Sequence, residues 1–171
     1  MIDIPRLDPL PGYNFRVTLI DTSGFLGGAV GAAVGLLTGG FTECKGLEST
    51  LETEDYLEGG VNDRVHRFPT RMAYSNITLI RGVGLGEDLW NWHQEYIDGK
   101  GKRRDGLIVL QDNLGIPIKI WSWARGLPVK WIGPPFDAQS SAVSIETLEI
   151  AHEKLELVVS PGKLLSDISP F

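Results

Sequence analysis

The chain reads as a mainly β protein, a small β-barrel or sandwich with one flanking α-helix. Three observations predict this class. Short runs of Val, Ile, Thr, Trp and Tyr recur between turn residues, with 21 Gly and 10 Pro in 171 positions, a distribution that suits strands and tight turns. Only the stretch after Gly86 carries apolar residues at convincing helical spacing. The last regular run, Ser144 to Val159, exceeds an ordinary strand of about 5–6 residues and so predicts a sheet that reaches beyond its own domain.

Along the chain, Tyr13, Phe15, Val17 and Leu19 alternate with Asn14, Arg16 and Thr18, the pattern of a half-buried strand. Thr42 to Glu54 is a more polar strand pair with Gly46-Leu47 inside it, and Ser75 to Arg81 alternates again with Ile77 and Leu79 on one face. The helix follows Gly84-Leu85-Gly86. Glu87 and Asp88 supply the first-turn acids that the helix dipole favours, and Leu89, Trp90, His93, Tyr96 and Ile97 form the expected buried face. Gly99 is the expected C-cap, and the basic cluster Lys100–Arg104 after it reads as a solvated loop.

Leu107–Gln111 and Ile116–Trp123 flank Asp112-Asn113-Leu114-Gly115 and predict a hairpin. Ile116, Ile118 and Ile120 share the face expected to meet the core, leaving Trp121 and Trp123 on a second apolar face that needs cover. Val129 and Trp131 predict a separate short strand after Gly126-Leu127-Pro128. In the final run, Leu148 and Ile150 are even-numbered while Leu155, Leu157 and Val159 are odd. One strand holds both sets only with a bulge near His152–Lys154.

The length predicts one domain over residues 1–171, with a core of about 12–159, a Gly/Ala-rich insertion at 22–40 and a loosely held tail at 160–171. Net charge is −6, which disfavours a nucleic-acid surface; no specific nucleic-acid site is expected. Cys44 is the single cysteine, so no intrachain disulfide forms and a packed thiol is expected. The amino terminus has no signal-peptide design, which predicts synthesis and assembly in the cytoplasm.

The stretch between Asp21 and Glu43 carries no charge, and its interior spaces Gly27, Gly31 and Gly35 four apart, as membrane helices do. Its strongly apolar part, Phe25–Leu37, is too short to span a bilayer and has no flanking aromatic belt. It reads instead as a subunit contact, with Phe25, Leu26, Val30, Val34, Leu36 and Leu37 as interface candidates. A membrane-inserting pore is the reading this segment alone would favour.

The search for chemistry is short. Gly82-Val83-Gly84-Leu85-Gly86 fails the dinucleotide spacing, because Glu87 stands where the last glycine is needed. His66, His93 and His152 form no metal-ligand pattern, and His93 reads as a packed residue. Glu52, Glu54, Asp55 and Glu58 lack the order of a calcium loop, and Arg64, Arg67 and Arg71 follow as ion-pair partners for an inter-subunit face. No catalytic group, cofactor or metal is expected.

Four blocks carry a resemblance: Gly12–Val17; Cys44–Ser49 continuing to Tyr56–Gly60; Ser75–Val83 running into Leu89-Trp90-Asn91-Trp92; and Pro135–Ala138 with Ser144–Glu153. In this order and spacing the chain resembles the tail-tube proteins of contractile injection systems, including contractile phage tail tubes, extracellular injection systems and, more distantly, the type VI secretion tube. The insertion at 22–40 departs from the shortest members. The resemblance implies a hexameric ring, rings stacked into a hollow tube, and a structural role without bond chemistry. It implies as partners the protein itself, a sheath protein, baseplate or hub proteins, and cargo effector or genome in the lumen. Tyr56, Trp121, Trp123, Leu155 and Leu157 join the interface candidates. Two other roles stay open: a tube-initiator paralogue joining tube to baseplate, and a monomeric ligand-binding β-barrel.

Overall fold

Alternation at the amino-terminal end gives β1 (Phe15–Asp21), in which Val17 and Leu19 are buried. Tyr13 lies ahead of this strand and is exposed. The structure, a computed structural model, describes residues 12–21, 37–60, 63–84, 86–139 and 141–159. The remaining elements are β2 (Leu37–Gly39), β3 (Glu43–Lys45), β4 (Ser49–Tyr56), β5 (His66–Tyr74), β6 (Ile77–Gly82), α1 (Asp88–Ile97), β7 (Arg104–Gln111), β8 (Pro117–Ile132), β9 (Ile145–Ala151) and β10 (Lys154–Val159).

Eight strands form one antiparallel sheet in the order β2-β1-β7-β8-β9-β6-β3, with β10 also pairing β8. A single buried cluster draws on both ends of this sheet: Val17, Leu19 and Ile108 from one end, and Ile77, Leu79, Leu148 and Ile150 from the other, with Trp123 and the helix residues Leu89 and Trp92. The sheet therefore folds over a shared core. β4 and β5 stand apart as a two-stranded sheet.

The long strand lies elsewhere than the sequence predicts. The run 145–159 breaks at His152-Glu153 into β9 and β10, while β8 continues for 16 residues through Gly126-Leu127-Pro128, where a break was expected. Both results share a cause. β8 runs antiparallel first to β10, with Lys154 opposite Ala124, then to β9, with Ala151 opposite Leu127, so both runs turn the same corner. Arg125 makes the turn with φ 56°, a left-handed conformation unusual outside glycine. Its N–H donates to Asp105 Oδ1 at 2.7 Å. Glu153 then receives the guanidinium groups of Arg103 at 2.9 Å and Arg125 at 2.8 Å. At the next residue a side chain on Gly126 would overlap the Arg104 carbonyl and the Trp123 indole.

The apolar faces of β8 are also reversed from the expectation. Trp123 is buried and Trp121 packs against the core, whereas Ile116 is exposed and Ile118 and Ile120 are half-buried. The inward face is set by Gly106 on β7, which leaves open the space that the Trp123 indole occupies. An indole facing a glycine fills that space as no isoleucine does.

The helix buries Leu89 and Trp92, with His93 and Tyr96 half-buried, while Trp90 and Ile97 face outward. That is the i, i+3, i+4, i+7 stripe counted from Leu89. Trp90 packs edge-on against Trp131, with ring centroids 4.6 Å apart. Trp92 Nε1–H donates to the Lys102 carbonyl at 2.9 Å, and the Arg104 guanidinium sits 5.1 Å from the Trp92 ring. The basic cluster is thus partly engaged: Arg104 also pairs with Glu95 at 3.3 Å. Gly99 at φ 71° ends the helix as expected. Beneath its start, Arg81 Nε pairs with Glu146 Oε1 at 2.6 Å, and Trp131 Nε1–H donates to Glu146 Oε2 at 3.1 Å. Both charged groups are buried.

Candidate functional site

A strand sequence rich in Thr and Glu gives β4, and every one of its residues is exposed. Its partner β5 is exposed from Arg67 to Ala73. A hairpin open to solvent on both faces is marginal by itself in water. Ion pairs cross it: Arg71 Nε to Glu52 Oε2 at 2.5 Å, and Arg67 Nε to Asp55 Oδ1 at 3.3 Å. His66 Nε2 lies 3.3 Å from Glu58 beyond the end of β4. These are the partners that the acidic run and following arginines predict, and exposed pairs of this kind contribute little to stability.

Apolar side chains complete the arm. Leu51 lies directly opposite Met72 on one face. Tyr56 meets Phe68 edge-on at 6.1 Å on the other. Leu51, Tyr56, Phe68 and Met72 are all about half exposed or more. The ladder shifts register between Leu51 and Thr53, so β5 carries an extra residue there, and a bulge of this kind bends a ribbon.

The arm's root is well held. Gly46, at φ 89°, stands so close to the Asn76 carbonyl that a side chain there would overlap it. Ser75 Oγ donates to Glu48 Oε2 at 3.0 Å. His152, from the corner between β9 and β10, places Nε2 3.1 Å from the Ser75 carbonyl and its ring 5.4 Å from that of Tyr74.

The candidate residues fall into separate places. Trp121 and Trp123 on β8 lie opposite Leu157 and Leu155 on β10, so these four share one face. Trp123 is wholly used inside the subunit, Trp121 and Leu155 pack on the same core, and Leu157 is partly exposed. Tyr56 sits away from them on the arm. Leu37 opens β2, opposite Leu19. Phe25, Leu26, Val30, Val34 and Leu36 lie outside the described residues, as does most of the insertion that raised the membrane reading. No helix among the described residues is long and apolar enough to cross a membrane. The sequence pattern hides Phe68 and Met72, because 66–74 does not alternate as a strand does, and Leu51, because it stands alone in the polar Thr42–Glu54 run. The available signal was the charge pattern of Arg67 and Arg71 against Asp55 and Glu52, repeated across a turn.

An open groove of about 340 Å³ lies between β1, β7, β8 and β3, lined chiefly by Phe15, Cys44, Leu47, Ile108, Leu110 and Trp121. Burial among these groups pushes the Cys44 thiol up to about 11, so it is an inert thiol at neutral pH. No group of three or more His, Cys, Asp or Glu residues among those described is placed to hold a metal ion.

Among the described residues the sheet ends at β2 and β3 without a further paired strand, and together with an exposed apolar arm this is the layout of a building block. The chain belongs to the T4-like virus tail tube protein gp19 family, whose model matches residues 11–156. The family is structural, and the protein is not an enzyme. A chain of the anti-feeding prophage baseplate is similar in fold, with TM-score 0.76 and 23% identity over 90% of this chain and 97% of that one. A chain of the PVC extracellular contractile injection system sheath-tube complex gives 0.73 and 22% over 89% and 93%. Hcp1 from Flavobacterium johnsoniae gives 0.56 and 15% over 85% and 95%. No curated protein sequence matches the chain.

Proposed function

We propose that this protein is the inner-tube subunit of a contractile injection machine. Six copies form a ring, rings stack head to tail, and contraction of a surrounding sheath drives the hollow tube through a target envelope. Its partners are further copies of itself, the sheath protein, baseplate or hub proteins, and the cargo carried in the lumen. The particle is assembled in the bacterial cytoplasm.

The observation that carries this reading is the β4–β5 arm. It exposes apolar groups on both faces together with charges of both signs, so a neighbouring subunit supplies the cover that the described residues of its own body do not. Head-to-tail contacts of one surface with another propagate along an axis, which suits a tube. Family membership supports the same role.

A tube-end role is the second reading. It is favoured by similarity to chains of the anti-feeding prophage cap, TM-score 0.74, and of the PVC sheath/tube terminator, 0.70. Negative-stain electron microscopy with a size-exclusion mass separates the two. Hollow stacks support the main tube, single rings support the end piece, and a monomer at every concentration overturns both.

A further inference from the structure

We propose that His152 is a positioning residue for the β4–β5 arm, fixing the angle at which the arm leaves the body. This rests on the reading of the arm as an assembly element. His152 and Ser75 lie 77 positions apart in sequence, yet His152 Nε2 is 3.1 Å from the Ser75 carbonyl, immediately after β5 ends at Tyr74. Its Nδ1 is 3.2 Å from the Lys154 carbonyl at the start of β10. The imidazole thereby bridges the exit strand of the arm and the corner that divides β9 from β10. The Tyr74 ring, tilted by 43° at 5.4 Å, packs against it.

The two ends of this bridge differ in firmness. On the body side, His152 is next to Glu153, which two arginines and the Ala124 carbonyl hold in place. On the arm side, the ribbon beyond Tyr74 is exposed on both faces. A ring anchored at the corner and bonded to the root of the exposed ribbon acts on the orientation of the whole ribbon. An angular change at the root grows with distance along the nine residues of β5.

Tyr74 from β5 faces the ring and the Lys154 and Ser75 carbonyls face its nitrogens; the charged groups next along are Glu153 at the corner, Lys154 with Glu156 at 2.7 Å from it, and Glu48 through Ser75. Both ring nitrogens face carbonyl acceptors, and a neutral imidazole donates from only one of them. Burial nonetheless outweighs these two carbonyls and lowers the His152 pKa below its usual value.

Spin labels at Thr53→Cys on the arm and Asn91→Cys on the helix, in a Cys44→Ser background, report the arm angle by pulsed electron resonance. Diluting labelled chain with unlabelled chain keeps the measured distance intramolecular, whether or not subunits assemble. His152→Leu is expected to broaden that distance distribution, while a label pair within the body stays narrow. The concentration needed for assembly then rises about tenfold, the scale of one lost hydrogen bond. His152→Gln, which keeps a side-chain donor for the Ser75 carbonyl, is expected to broaden the distance distribution less than His152→Leu. An unchanged distribution in His152→Leu, or equal broadening of the body pair, overturns the proposal. A broadened arm with unaltered assembly keeps His152 as the positioning residue and overturns the arm's role in assembly.

Discussion

The body and the arm are built from the same kind of element and end in opposite states. β6 alternates buried and half-buried residues along its length, whereas β4 is exposed at every position. Both are antiparallel strands with a partner. The difference lies in side chains and cover: Ile77, Leu79, Leu148 and Ile150 share one buried cluster with Val17, Leu19 and Ile108 from the other end of the sheet, while Leu51 and Met72 pair across the ribbon and stay about half exposed. Pairing alone makes a ribbon; a second layer makes a core. In the proposed tube, the second layer for the arm is supplied by another subunit.

The sharpest way to break this comparison is to damage the body. Trp123→Ala removes the largest side chain lining the corner and leaves Gly106 facing a void; truncations of this size cost about 3–5 kcal/mol. The thermal midpoint should fall by roughly 10 °C or more, and a smaller shift would mean that the body is as loosely built as the arm. Glu146→Ala strands the buried Arg81 guanidinium and frees Trp131 Nε1–H, for an expected loss of about 3 kcal/mol in chemical denaturation. Restoring stability with Arg81→Met in the same chain would show that the cost came from the unpaired charge.

His152 tests the boundary between the two regions. Burial lowers its pKa in the folded chain below the ordinary imidazole value of 6.5, so its stabilising contribution is complete above that value and declines as pH falls below it. Melting temperature measured from pH 7.5 to 5 should drop in the native protein, and His152→Gln should remove part of that slope. The smallest expected effect on folding comes from the arm itself. Leu51→Asp combined with Met72→Asp should leave the subunit's melting temperature within the range of ordinary surface substitutions. Assembly measured by sedimentation should be lost. Stable, assembled double mutants would show that these faces are not the contact.

How much of this was legible beforehand follows the same division. The first strand, the Ile77/Leu79 strand, the helix with its glycine cap and the Asp112–Gly115 turn were all readable, because each depends on local alternation or on a residue whose conformation is special. The inward face of β8 was not readable, since it depends on Gly106 of a neighbouring strand making room for Trp123. Nor was the corner: Arg125 adopts a left-handed conformation that nothing in its own neighbourhood predicts, held by Asp105 and Glu153 from elsewhere. At the candidate site the charges of the arm were visible as opposite-sign runs. Its apolar contacts were hidden because β5, with Pro69 inside it, does not read as a strand.

The uninterrupted course of β8 has a mechanical meaning. A single covalent strand passes from the part of the sheet containing β7 and β10 into the part containing β9, and antiparallel hydrogen bonds run beside it along most of that length. Force applied along this strand loads those bonds together, in shear, rather than opening them one after another from an end. A subunit that is pushed at one face and meets resistance at the other then transmits the load through backbone instead of through side-chain contacts.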